Sequence, residues 1–259
     1  MAASLKSHSE GQTMVLTISN PDHRNALGPE MYAAGVEALN AAESNPDVRS
    51  VVICGDGAHF CAGGNLQRLL GNRDKGRDVQ AASIDGLHSW IETIRSSSKP
   101  VIAAVEGACA GAGFSLALTC DLIVAARNAV FVMAYSNVGL SPDGGATWSI
   151  PHLLPRATAM RLLLLGDRCS SDELERLGVV SAVCDPGEAV ASALGMAERV
   201  NGRAPNTLAS IKELVNDAPA TPLHAHLNNE RDHFVRNLFH DNGGEGISAF
   251  LEKRTPRYR

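Results

Sequence analysis

Two short runs, Phe60-Cys61-Ala62-Gly63-Gly64-Asn65-Leu66 and Gly107-Ala108-Cys109-Ala110-Gly111-Ala112-Gly113, each follow an apolar strand-like segment and lead into a helical one. A strand, a glycine turn and a helix, met twice, commit the chain to an α/β arrangement. Small residues let backbone approach a ligand without a side chain between them, and a helix start leaves N–H groups free to face negative charge. Two such donors on one oxygen form an oxyanion hole. They stabilise the anion produced when a thioester is attacked or loses an α-proton.

The 259 residues, 44% hydrophobic and 20% charged, suffice for a substantial core, and no apolar run is long enough to cross a bilayer. Met1 to Gly11 is polar and lacks the basic-then-apolar layout of a secretory signal, so a cytoplasmic location and no membrane partner are expected. The six cysteines include no Cys-x-x-Cys pair and share no ligand spacing with the nine histidines, which points to reduced thiols and no metal. A net charge of −5 argues against nucleic acid as a partner. Local basic residues must therefore hold any anionic ligand.

Along the chain, 13–19, 50–54, 101–105, 122–126, 129–133 and 179–183 read as strands. Pro21 to Asn25 is a turn, and Pro29 opens a helix carrying Met31, Ala34, Ala38 and Leu39 on one face. The charged, glycine-broken stretch 71–78 reads as an exposed mobile loop, and 83–96 and 114–119 as helices. Beyond the loop Gly139 to Gly145 nearly everything is helical: 145–154, 156–165, 171–176, 187–201, 205–216, 221–240 and 244–252.

With both glycine turns, Pro21-Asp22-His23-Arg24-Asn25-Ala26-Leu27, the Gly139 to Gly145 loop and the ending Glu245 to Arg254, the chain resembles the crotonase, or enoyl-CoA hydratase/isomerase, superfamily over nearly its whole length. The resemblance implies a ββα spiral core over 1–200 that carries the acyl-CoA site, and a helical trimerisation region over 201–259. It implies a homotrimer or a dimer of trimers. The substrate would be an acyl-CoA thioester, with coenzyme A as part of it and no permanently bound cofactor. By the same resemblance the amides of Gly64 and Ala112 hold the thioester oxygen, the carbonyls near Cys61 and Ala62 face the adenine, and Arg24 contacts phosphate. Arg68 is a second phosphate contact, and Lys253 or Arg254 reaches a neighbouring subunit's CoA.

Typical hydratases of the superfamily carry two glutamates that hold and activate water; the matching positions here are Ser115 and Tyr135. Asp143 stands where several isomerases and the chlorobenzoyl-CoA dehalogenases place a catalytic aspartate. His88 and Tyr135 match the dehalogenases' histidine and tryptophan. The chain is more similar still to a bacterial group described as enoyl-CoA hydratases or alternative-type oxepin-CoA hydrolases.

Each candidate also has a plainer role. Asp143 in Pro142-Asp143-Gly144 is either a turn residue or a carboxylate that exchanges protons with carbon. His88 is either packed on its helix or a base, Tyr135 a wall or an acid, and Ser115 structural. His224, His226, His233 and His240 suggest surface or subunit contact. Three functions follow: hydration or double-bond isomerisation of an enoyl-CoA with Asp143 shuttling the proton; hydrolytic or ring-opening chemistry in which Asp143 attacks an aromatic-derived CoA thioester; or a non-catalytic acyl-CoA-binding subunit.

Overall fold

The computed structural model describes residues 3–259. Its larger sheet has six strands in the order β1 (Ser4–Glu10), β2 (Thr13–Ser19), β3 (Ser50–Gly55), β4 (Val101–Val105), β6 (Leu122–Ala126) and β9 (Ala182–Cys184). The β1–β2 pair is antiparallel and every other pair is parallel. A smaller sheet orders β5 (Ala108–Ala110), β7 (Val130–Val132) and β8 (Arg168–Ser170).

The alternation of side chains along the strands explains why the central ones read as unbroken apolar runs. Leu16, Ile18, Val51, Ile53, Val101, Ala103, Val105, Ile123 and Ala125 face the main core with Phe60, Trp90 and Phe114. Their alternates Val15, Val52, Ile102, Ala104, Val124 and Ala126 face Ala189, Ala193 and Ala197 of the helix α8 (Ala189–Asn201). These alanines recur every four residues, so one face of α8 is smooth and lies close to the sheet.

Four successive turns of chain share one plan: a strand of the large sheet, an extended segment in the second wall, then a helix. β2 leads to an isolated bridge at Leu27 and then to α1 (Pro29–Ser44). β3 leads to bridges at Cys61 and Gly64 and then to α2 (Leu66–Asn72) and α3 (Arg77–Ser96). β4 leads to β5 and α4 (Ala112–Thr119), and β6 to β7 and, past a short turn, α5 (Ala146–Leu153). This is the ββα spiral expected above.

Downstream come α6 (Arg156–Met160), a π-turn over Arg161–Leu165, α7 (Ser171–Arg176) and α8. α9 (Pro205–Asp217), α10 (Leu223–Leu238) and α11 (Asp241–Leu251) close the chain. Lys212 docks α9 on the body: its buried ammonium donates to the carbonyls of Ile94 and Lys99 and to Asp121 Oδ2. No helix among the described residues is long and apolar enough to cross a membrane.

Several local expectations are corrected. The loop expected over 71–78 is shorter, an exposed turn over 73–76, because α2 runs to Asn72 and α3 begins at Arg77. Asn65 accepts the Arg68 N–H to cap α2, and Asn72 Nδ2 donates to Gln80 Oε1 at 2.8 Å, which ties the two helices together. The polar segment 4–10 is an edge strand, the late strand lies at 182–184 instead of 179–183, and the helix expected over 156–165 ends in the π-turn.

Candidate active site

The two glycine turns press against each other at the start of α4. Cys61 N–H donates to Ala108 C=O and Ala110 N–H to Cys61 C=O, at 3.0 and 2.8 Å. Gly63 has φ +93°, and a Cβ there would lie 2.9 Å from Ala110 O and 3.3 Å from Ala112 N, so only glycine permits this approach. Neither the Gly64 nor the Ala112 amide finds a backbone acceptor among the described residues. Ala112 is the first residue of α4, where an N–H has no partner within the helix.

The turn 20–27 is bolted to the first glycine turn. Ala62 N–H donates to Arg24 C=O and Leu27 N–H to Gly63 C=O. Arg24 and Asn25 both have left-handed backbones, φ 50° and 58°. Asn25, 1% exposed, holds that geometry: its Oδ1 accepts from Asn20 N–H, and its Nδ2 donates to the carbonyls of Asp56 and His59. The Arg24 side chain is left exposed beside the glycine turn.

Asp143, half-buried in the loop before α5, receives a 2.7 Å hydrogen bond on Oδ1 from the Tyr135 hydroxyl. Oδ2 accepts no protein donor among the described residues. Burial, reinforced by the neighbouring carboxylate, holds the Tyr135 phenol well above its ordinary pKa, so at neutral pH it is a donor and not a base. His88 is exposed, and its Nε2 lies 2.7 Å from the Asp143 carbonyl; a carbonyl only accepts, so this nitrogen carries its proton. His88 thereby braces the Asp143 main chain.

Ser115, 1% exposed, lies directly under the Asp143 loop. A Cβ on Gly144 would fall 2.8 Å from Ser115 Cβ, so the close approach of loop and helix depends on glycine at 144. The site brings together one carboxylate, one phenol and two unpaired amides.

Of the expected CoA contacts, Cys61 is fully buried, and its carbonyl accepts the Ala110 N–H. The Ala62 carbonyl takes no backbone donor among the described residues. Lys253 is exposed at the end of α11, far along the chain from the other candidates, with φ 56°. Arg68 turns toward Ser83, its Nη1 lying 3.2 Å from the hydroxyl. Among the histidines, His240 caps α11 by accepting the Asn242 N–H, and His233 is buried against α9 beside Glu213.

A family model described as enoyl-CoA hydratase/isomerase matches residues 8–259. The chain belongs to the enoyl-CoA hydratase/isomerase family. It is 35% identical to a 1,2-epoxyphenylacetyl-CoA isomerase of Escherichia coli K12, covering 97% of each chain. It is 31% identical to a 2,3-dehydroadipyl-CoA hydratase of the same strain, over 96% of this chain and 95% of that one. Among solved structures, an enoyl-CoA hydratase from Polaromonas sp. JS666 superposes with a TM-score of 0.98 at 66% identity, covering 99% of this chain and 100% of the other. Family membership makes the chain an enzyme of hydratase/isomerase type acting on acyl-CoA thioesters.

Sequence reasoning passed over Asn25 as a clamp. The signal for Asn25 was available, since asparagine tolerates the left-handed backbone better than most residues.

Proposed function

We propose that the enzyme moves a double bond in an enoyl-CoA by a one-base route. The Gly64 and Ala112 amides hold the thioester oxygen as an enolate, and Asp143 takes a proton from one carbon and returns it to another. The observation that carries this reading is the single carboxylate: Tyr135 secures Oδ1 while Oδ2 is left for the substrate. Isomerisation needs only one such group. Hydration with two glutamates would need carboxylates at 115 and 135, where serine and tyrosine stand. The alternative with Asp143 as nucleophile wants a base for water; with its Nε2 proton on the Asp143 carbonyl, His88 has only Nδ1 to offer in that role.

In this reading Arg24 and the Ala62 carbonyl take the phosphates and adenine of CoA. The exposed apolar side chains of α10 and α11 pack between copies in a trimer or a dimer of trimers, and Lys253 reaches a neighbour's CoA.

Incubating the protein with paired 2-enoyl- and 3-enoyl-CoA esters in heavy-oxygen water, followed by mass spectrometry, tests the reaction. Interconversion of the two isomers without label is the expected result. A labelled hydroxyacyl-CoA would make the enzyme a hydratase instead.

A further inference from the structure

The loop that carries Asp143 rests on the same helix that supplies the Ala112 amide. All eight residues of α4 are buried, and the Phe114 ring packs on Phe131 with centroids 5.1 Å apart, so this helix is a fixed reference. Ala112 opens α4 and Ser115 lies three residues on, about 4.5 Å along the axis. Gly144, the residue after Asp143, sits on Ser115. A Cβ at 144 would meet Ser115 Cβ at 2.8 Å and Ser115 Oγ at 3.1 Å, whereas the next atom, Ile91 Cδ1, lies at an ordinary contact distance of 3.6 Å.

Two further contacts hold the loop. His88 of α3 donates its Nε2 proton to the Asp143 carbonyl at 2.7 Å. The Tyr135 phenol that bonds Asp143 Oδ1 has its ring over Gly111, the residue before Ala112, where a Cβ would lie 3.7 Å from Tyr135 Cε2. Asp143 is thus held by its side chain, its main chain and its neighbour, and two of these holds end on the first turn of α4. Residues 136–141 are exposed on the outer side, so it is the loop, and not α4, that gives way when the contact is crowded.

Proton transfer by a side chain on a loop depends on where the loop puts it, to within a fraction of an ångström. We infer that Gly144 and His88 are positioning residues for this transfer. The bare Cα at 144 lets the loop settle on Ser115, the His88 N–H draws in the Asp143 carbonyl, and together they set the reach of Asp143 Oδ2 toward a thioester held at Gly64 and Ala112. The inference rests on Asp143 acting as the base, and it gives His88 the work of a donor.

The test is deuterium uptake from heavy water at the carbon next to the thioester of a saturated acyl-CoA, with binding of the same ester followed by calorimetry. The backbone at Gly144 is not left-handed, so the contact with Ser115 is what opposes a side chain there. Gly144→Ala should slow exchange by about 10–100-fold with the affinity for the ester unchanged. Adding Ser115→Gly removes both atoms that the new methyl meets and should recover most of the rate, whereas adding Ser115→Ala keeps the Cβ at 115 and should not. His88→Gln, which still offers an N–H, should exchange faster than His88→Leu. Exchange by Gly144→Ala at the wild-type rate, a slow Gly144→Ala that Ser115→Gly does not rescue, or a His88→Gln as slow as His88→Leu would each overturn the inference; the last would mark His88 as a base. Should Gly144→Ala not fold, the Gly144→Ala/Ser115→Gly double variant and the His88 pair decide. Asp143→Asn, run in parallel, separates the two readings. A slow Asp143→Asn beside a wild-type rate in Gly144→Ala brings down the positioning alone, and a wild-type rate in Asp143→Asn brings down the base and the positioning with it.

Discussion

Asn25 shows how a residue that touches no substrate can set a site. Its side chain makes three hydrogen bonds, one buried and two part-buried, and through them the left-handed pair Arg24–Asn25 offers the Arg24 carbonyl to the Ala62 amide. Asn25→Ala removes these bonds and strands their partners. A loss of about 3 kcal/mol is expected, seen in thermal unfolding as a midpoint lower by roughly 6–12 °C. An unchanged midpoint would mean that the turn holds its shape without the clamp. The glycines were legible in the sequence because a missing side chain is a local property. The bond from Arg68 to Ser83 was not, because it depends on how α2 and α3 pack, and no residue type advertises that.

At the level of elements, helix ends carry much of the specification. Asn65 and the Asn72–Gln80 bond turn a glycine-broken stretch into two helices; the breakers were visible but the side chains that outweigh them act across the break. The strands β5, β7 and β8 have three residues each, too short for periodicity to show, and β1 is a polar edge that pairs only with β2. After α11 the chain is held by Glu245, which takes two bonds from Arg254 and one from the Arg257 amide. The Arg254 guanidinium, helped by that amide, lowers the Glu245 carboxyl from 4.5 to about 2. A carboxylate with a depressed folded pKa stabilises the folded state above its unfolded pKa, and that contribution fades as pH falls through the folded value. The tail should therefore stay protected against hydrogen exchange down to about pH 4.5 and loosen between there and about pH 2, while Glu245→Gln should be loose at neutral pH. Equal protection of Glu245→Gln and wild type at pH 7 would show that the ion pair does not hold the tail.

For the whole molecule, the core and the outer surface of the last helices point in opposite directions. The central strands of the sheet are buried on both faces, whereas Leu223, Phe234, Phe239, Phe250 and Leu251 of the closing helices are each more than two-thirds exposed. We propose that residues 201–259 form an assembly region outside the core of 1–200, and that copies of the chain cover these side chains. Sedimentation at micromolar concentration should give three or six times 27.3 kDa; a monomer would contradict this. The family resemblance implied assembly, but only the exposed positions of these rings and leucines say which face is used.

The central claim is that Asp143 is the one group that moves protons to and from a thioester enolate held by Gly64 and Ala112. Incubation of an acyl-CoA in heavy water, with deuterium at the carbon next to the thioester followed by mass spectrometry, tests it without regard to the final product. The wild type should exchange that proton, and Asp143→Asn, which keeps a group for Tyr135 to bond but is no base, should exchange it more slowly by at least about 10²-fold. Exchange by Asp143→Asn at the wild-type rate would contradict the account.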